Sequence, residues 1–436
     1  MEKTKINSDK SYFNLESTCS NLNCRDTSFL NASKKELDRI LEKGISKKDI
    51  VIARKNIRIA IIAVTEKGKN TAEKIASELE NVDVFFQKRG IKELTGVLFN
   101  KYECIIFVSA CGIAVRCISP FLKSKFEDPA VLVVDDNGNN VISLLSGHIG
   151  GANEITLKIA KILNANPVIT TSTDTNKKGA LDVIVSKIGG YVENLRESAK
   201  LVNSYIVDDK RVGIYFDSDY ESEKDSLNLS GFELIDEKTE IDEIAKLDAL
   251  VSVTDKLRCW VDEVIDKMYE YVDKIDENID KLDKHNVDNL DKYNKSDKHN
   301  LEKANLSYIK LVPRRIALGM GCRKNTETEK MIEEFSTFSA LNNIHPAAIV
   351  KTGSLIIKKD EKCMIDLSKV LCTEFNLFDV DEICTCDYMF DKSEFVKKNT
   401  GVYSVAQPSA YLLSGNVISD KYKNNGTTFA FGRMKG

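Results

Sequence analysis

At 436 residues the chain exceeds what one hydrophobic core usually serves, so two or three domains are expected. Its 63 basic and 67 acidic side chains nearly cancel, which excludes the broad basic excess of a nucleic-acid binder but leaves room for a local basic pocket. Eleven cysteines without C-x-x-C spacing, only four histidines and apolar runs well short of the ~20 residues of a membrane span argue for reduced, cytoplasmic thiols, no resident metal and no membrane segment.

Residues 1–56 are polar and read as an N-terminal extension, with one helical stretch near Lys34 to Lys43. Residues 57–175 then alternate apolar runs with amphipathic stretches. Strands are expected at Ile57 to Val64, Val82 to Phe86, Cys104 to Val108, Val131 to Val134, Val141 to Leu144 and Val168 to Thr171. Such alternation predicts an α/β fold, a mostly parallel sheet flanked by helices.

A middle α/β region, 176–261, is less legible, with strands expected at Val212 to Phe216 and Leu250 to Val253. Residues 262–308 form a charged insertion, helical or flexible, in which Ile265, Met268, Val272, Ile275, Ile279 and Leu282 recur at three- and four-residue spacing. A smaller C-terminal α/β domain, 309–436, opens with a strand from Arg315 to Leu318 running into Gly319-Met320-Gly321-Cys322-Arg323. Thr326 and Glu329 fit a capping box for the next helix, and Asn425-Gly426 predicts a hairpin between Val417 to Ser419 and Thr427 to Phe431.

Three polar loops follow strands of the first domain: Ser109 to Gly112, Ser146 to Asn153, and Thr170 to Asp174. In an open parallel sheet the carboxyl ends of strands form the ligand edge, and glycines let backbone N–H groups approach a substrate oxygen. His148, the first histidine in the chain, sits among Ser146, Gly147, Gly150, Gly151 and Asn153 and is suited to activating water; a backbone-bonding loop histidine is an equal reading. Asp174, Asp135 and Asp136 are further candidate acids or bases, and Cys111 is a weaker candidate nucleophile. Phosphate-loop and dinucleotide spacings are absent, which counts against a nucleotide enzyme.

Taken together, Gly112 to Arg116, Asp128 to Val131, Leu144 to Asn153, Ile169 to Thr171 with Asp174, Gly319 to Arg323, Ser404 to Ala410 and Gly426 to Ala430 form a dense series. It resembles the cobalt-precorrin 5A hydrolase (CbiG) family of anaerobic cobalamin synthesis from about Ile57 to Gly436. The polar extension and the charged insertion depart from the family pattern, as does Gln407, where an acidic residue is usual. The resemblance implies opening of the δ-lactone of cobalt-precorrin 5A, with release of acetaldehyde, to give cobalt-precorrin 5B. It implies no cofactor beyond the cobalt carried by the tetrapyrrole substrate, and as partners that substrate and the neighbouring pathway enzymes. Within it, His148 and Asp174 are the expected catalytic groups. Ser109, Gly112, Arg116, Ser146, Gly147, Gly150, Gly151, Asn153, Thr171 and Arg323 are the expected substrate contacts. A carrier that binds the tetrapyrrole without altering it is the alternative.

Overall fold

The computed structural model describes residues 27–51, 57–124, 127–171, 178–270 and 306–435, arranged on three sheets. The first has the order Val82–Phe86, Ile59–Ala63, Cys104–Val108, Ala130–Val134, Asn140–Leu145, Asn166–Val168. Its central strands Ile59–Ala63, Cys104–Val108 and Ala130–Val134 are buried at every position, as parallel strands covered on both faces require. Ala72, Ile75, Ile155 and Ile159 pack on one face; Leu98, Phe99, Ala114 and Ile118 pack on the other.

One pairing departs from the parallel pattern and decides where the loops go. Ala130–Val134 and Asn140–Leu145 are antiparallel, because the segment between them is too short for a crossover and turns as a hairpin. Asp135 holds that turn by accepting the N–H groups of Asn137 at 3.0 Å and Asn140 at 2.6 Å, while Gly138 adopts φ +71°. Burial raises the Asp135 pKa, but backbone N–H groups of Asn140, Asn139 and Asn137 more than offset it, leaving the carboxyl below its ordinary range. Leu145 therefore ends opposite Val131, at the starting edge of the parallel strands, and Asn166–Val168 runs alongside it in the same direction. The last strand is also shorter and earlier than the expected Val168 to Thr171.

The middle sheet has the order Ile50–Val51, Gly190–Val192, Ser307–Pro313, Ala249–Val253, Val212–Phe216, Phe232–Ile235. Two of its strands come from unexpected places. Ile50–Val51 belongs to the polar extension, and Ser307–Pro313 straddles the expected boundary between the charged insertion and the C-terminal domain and pairs in parallel with Ala249–Val253. The start of the insertion is accordingly the crossover helix between those strands: residues 260–270 are helical, and Val261, Val264, Ile265 and Met268 pack on the sheet. Val272, Ile275, Ile279 and Leu282 lie outside the described residues. The helix Thr27–Lys43 buries Leu37 and Leu41 against residues of the middle and C-terminal regions, and its Asp38 accepts the Ser336 hydroxyl at 2.8 Å.

Within the crossover, Lys310 Nζ reaches Asp262 Oδ2 at 2.9 Å and the Leu257 carbonyl at 2.6 Å, and both charged side chains are largely buried. Burial raises the Asp262 pKa, but the Lys310 ammonium and the Cys259 N–H outweigh it and hold the carboxyl below its usual range. Lys310→Met should strand a buried carboxylate and destabilise the fold by about 3–5 kcal/mol, read as a fall in Tm. A carboxyl with a depressed folded pKa stabilises above its unfolded value and loses that contribution as pH falls. The gap between wild type and variant should therefore narrow below the unfolded value of about 3.9. A gap that is constant from neutral to acid pH would show that the ion pair contributes nothing.

The C-terminal sheet has the order Glu374–Phe378, Ile349–Leu355, Ile316–Cys322, Thr427–Arg433, Tyr422–Asn424. Gly319 is required because the helix Ala406–Ser414 crosses directly over it, where a Cβ would overlap the Ala406 carbonyl. Asn425 and Gly426, at φ 47° and 86°, make the expected two-residue hairpin turn, but its first strand is Tyr422–Asn424; Val417 meets Gly432 only through an isolated bridge. The capping box at Thr326 does not form. Its hydroxyl donates to the Arg323 carbonyl inside the loop, and the helix Thr328–Asn342 begins after Glu327. This sheet meets the middle one through Arg433, which pairs with Asp255 at 2.7 Å while Tyr220 donates to the same carboxylate at 2.8 Å.

Candidate acid–base site

The loop between Leu145 and Ala152 is built by close backbone approach. Ser146 adopts φ 57° and Gly151 φ 80°; a Cβ on Gly150 would overlap the Ser146 carbonyl, and one on Gly147 would press on the Asn153 amide. The Gly151 N–H donates to the His148 carbonyl at 2.8 Å, and the N–H groups of Ala152 and Asn153 donate to the carbonyls of Ser146 and Gly147. The loop thus consumes the Gly151 N–H that sequence reasoning offered to a substrate oxyanion. Ser146 Oγ is buried with no hydrogen-bond partner among the described residues. Asn153 ties the loops together instead of facing solvent: it accepts the Ser143 hydroxyl at 2.6 Å and donates to Thr171 Oγ1 at 3.0 Å.

This geometry delivers His148 to the middle region. Ile149 beside it enters the middle sheet's core, and His148 Nδ1 lies 3.3 Å and 3.4 Å from the two carboxylate oxygens of Asp182. Asp182 opens the helix Leu181–Ile188 and is 1% exposed. Asn203, from the neighbouring helix Leu195–Val207, clamps it: its Nδ2 donates to Asp182 Oδ1 at 3.0 Å, and its Oδ1 accepts the Leu181 N–H at 2.8 Å. A carboxylate can only accept, so it selects the Nδ1–H tautomer and leaves the lone pair on Nε2, the arrangement of a general base held by an orienting acid. Sequence reasoning missed both Asp182 and Asn203. The available signal was an acid inside the otherwise apolar run from Leu181 to Val185.

The remaining expected residues divide between two edges of the first sheet. Thr171 shares the edge of His148. Ser109, buried, and Gly112, exposed in the first turn of the helix Cys111–Ile118, follow a parallel strand and stand at the opposite edge, together with Asp135 and Asp136. The antiparallel pairing of Ala130–Val134 with Asn140–Leu145 is the physical reason for this split. Asp136 there accepts the Thr65 hydroxyl at 2.9 Å. The helix Cys111–Ile118 is itself a crossover, so its last turn carries exposed Arg116 back toward the edge of the His148 loop. Arg323 lies past the end of Ile316–Cys322, roughly 20 Å of strand from the end that meets the middle sheet through Arg433. Asp174 lies outside the described residues. A separate cavity of about 340 Å³ opens beside the helix Thr27–Lys43, lined among others by Glu36, Tyr191, Tyr308, Lys310 and His345, and contains none of the expected residues.

Three α/β sheets, with an imidazole held against a buried carboxylate where two of them meet, define a protein of the multidomain α/β class. The chain belongs to the cobalamin synthesis G family. The model of that family's N-terminal region matches residues 93–174, and the model of its C-terminus matches residues 316–432. It is 30% identical over 385 residues to the cobalt-precorrin-5A hydrolase of Salmonella typhimurium, covering 86% of this chain and 97% of the relative. It is 28% identical to the enzyme of the same name from Priestia megaterium, covering 82% and 89%. Among solved structures it is similar to a cobalamin biosynthesis protein G homolog from Sulfolobus solfataricus, with 21% identity, coverage of 89% and 99%, and a TM-score of 0.33.

Proposed function

We propose that this chain is a cobalt-precorrin-5A hydrolase, opening the substrate's δ-lactone and releasing acetaldehyde to give cobalt-precorrin 5B. The observation that carries this reading is the match over 97% of the Salmonella enzyme's length. The His148–Asp182 pair supplies the chemistry the reaction needs: Nε2 takes a proton from water as it attacks the lactone carbonyl, and Asp182 stabilises the resulting imidazolium. Fragmentation follows when the freed hydroxyl loses its proton and the macrocycle accepts the electron pair, so the demanding electronic step lies in the substrate. Cobalt arrives within the tetrapyrrole, and the lactone chemistry asks for no resident cofactor. Among the described residues no helix is long and apolar enough to cross a membrane. We place the enzyme in the cytoplasm, passing its product to neighbouring pathway enzymes.

The direct test is anaerobic incubation with cobalt-precorrin 5A, followed by an acetaldehyde assay and mass measurement of the corrinoid. Binding without either product would convert the reading to a carrier. In this reading exposed Arg116 meets a peripheral carboxylate, and Arg116→Ala should raise Kd about ten- to a hundred-fold, the worth of a charge-assisted hydrogen bond. Arg323→Ala, on the remote edge of the C-terminal sheet, should change Kd far less. Equal losses in the two variants would mean that the sheets close on the substrate in a different arrangement.

A further inference from the structure

We propose that the C-terminal sheet carries a binding site for a thiophilic divalent cation, with Zn²⁺ its natural occupant, formed by Cys322, Cys363 and Glu361. Cys322 ends the strand Ile316–Cys322, Glu361 precedes the helix Lys362–Val370, and Cys363 is that helix's second residue. Their ligand atoms all lie within 4.8 Å of one another, and the two sulfurs are 3.7 Å apart. Two thiolates bound at ~2.3 Å to a tetrahedral zinc stand about 3.8 Å apart, whereas disulfide sulfurs stand at ~2.05 Å. The observed separation, at which the Cys363 thiol also donates to Cys322 Sγ, matches a metal-site edge and not a disulfide. Sequence spacing gave no hint of it, since the cysteines are 41 positions apart and no C-x-x-C pattern joins them.

The surroundings fit the same reading. Glu361 is oriented by Lys358 Nζ on Oε1 at 3.1 Å and by the Asn325 N–H on Oε2 at 3.2 Å, which fixes the carboxylate as outer contacts fix ligands in metal sites. Two thiolates, one carboxylate, one ammonium and a dication sum to zero charge, so the half-buried pocket holds the ion without a net charge. Binding converts two thiols to thiolates and releases two protons to solvent, with no change in oxidation state. Three protein ligands leave a fourth position for water. The ion would clamp the strand end to the helix start beside Arg323, apart from the His148 site, and is a staple of the C-terminal sheet and no part of lactone opening.

The test uses the reduced full-length chain, stripped with a chelator and titrated anaerobically with Co²⁺. One equivalent should produce thiolate-to-cobalt charge-transfer absorption and the intense visible bands of a tetrahedral ion, both bleached by Zn²⁺. Cys322→Ser and Cys363→Ser should each abolish the spectrum, Glu361→Gln should weaken binding roughly ten- to a hundred-fold, and Cys384→Ser, at an exposed position, should leave it unchanged. Circular dichroism checks folding; if buried Cys363 does not tolerate serine, the half-buried Cys322 variant decides. Absence of the spectrum, bands that persist in both cysteine variants, or a reduced chain that only oxidises to a Cys322–Cys363 disulfide would each overturn the proposal.

Discussion

His148→Ala should fold as the wild type does and lose about 10²- to 10⁴-fold in the rate of lactone opening, the usual cost of removing a general base. The loop does not depend on the imidazole for its shape: the Gly151, Ala152 and Asn153 N–H groups close it through backbone carbonyls, and Ile149 anchors it in the middle core. His148→Gln separates hydrogen bonding from proton transfer. Its amide can hold a substrate oxygen but cannot take a proton near neutral pH, so it should remain slow even where binding recovers. A wild-type rate in either variant, under conditions where chemistry limits turnover, would make His148 a loop residue only and move the search for the base to Asp174.

Asp182→Asn should reduce kcat by roughly 10²-fold or more while leaving KM and Tm nearly unchanged. The effect arises because an amide can donate to Nδ1 and so favour the tautomer whose Nε2 is already protonated. Asn203 retains a hydrogen-bonding partner in this near-isosteric variant, which keeps the helix contact in place. The split between kcat and KM distinguishes a positioning residue from a merely structural one. A parallel fall in Tm and kcat, both restored at lower temperature, would assign Asp182 to stability. Asp182→Ala is the harsher test, leaving half-buried Asn203 Nδ2 without this acceptor.

Fold class was legible because the three central strands of the first sheet are uninterrupted apolar runs: Ile59–Ala63, Cys104–Val108 and Ala130–Val134 fall where periodicity put them. Direction was not legible. Nothing in the run from Val141 to Leu144 distinguishes parallel from antiparallel; the Asp135-to-Asn140 turn does, and reading it as a crossover would place all three loops on one edge. The middle sheet was harder because it is assembled from distant pieces, including a two-residue strand at Ile50–Val51 and one at Ser307–Pro313 that the expected boundary after residue 308 cuts in two. His148 was visible as a histidine among glycines. Its partner was not, since contact between Asp182 and residue 148 depends on how two sheets dock, which local pattern does not encode.

The middle sheet's composite membership has a consequence for synthesis. Its first strand, Ile50–Val51, emerges before the whole of the first sheet, and its partner Gly190–Val192 emerges after it. The first sheet is contiguous from Ile59 to Val168 and can close while the chain is still being made, whereas the middle sheet must wait for Ser307–Pro313 to fill the place between Gly190–Val192 and Ala249–Val253. Until then those two strands present open edges, the exposure that invites misassembly in large nascent chains. Closure across a longer connection adds little to the thermodynamic cost, about 0.6 kcal/mol for each doubling of its length. The charged stretch between the strands therefore delays completion of the middle sheet in time far more than it weakens the finished sheet.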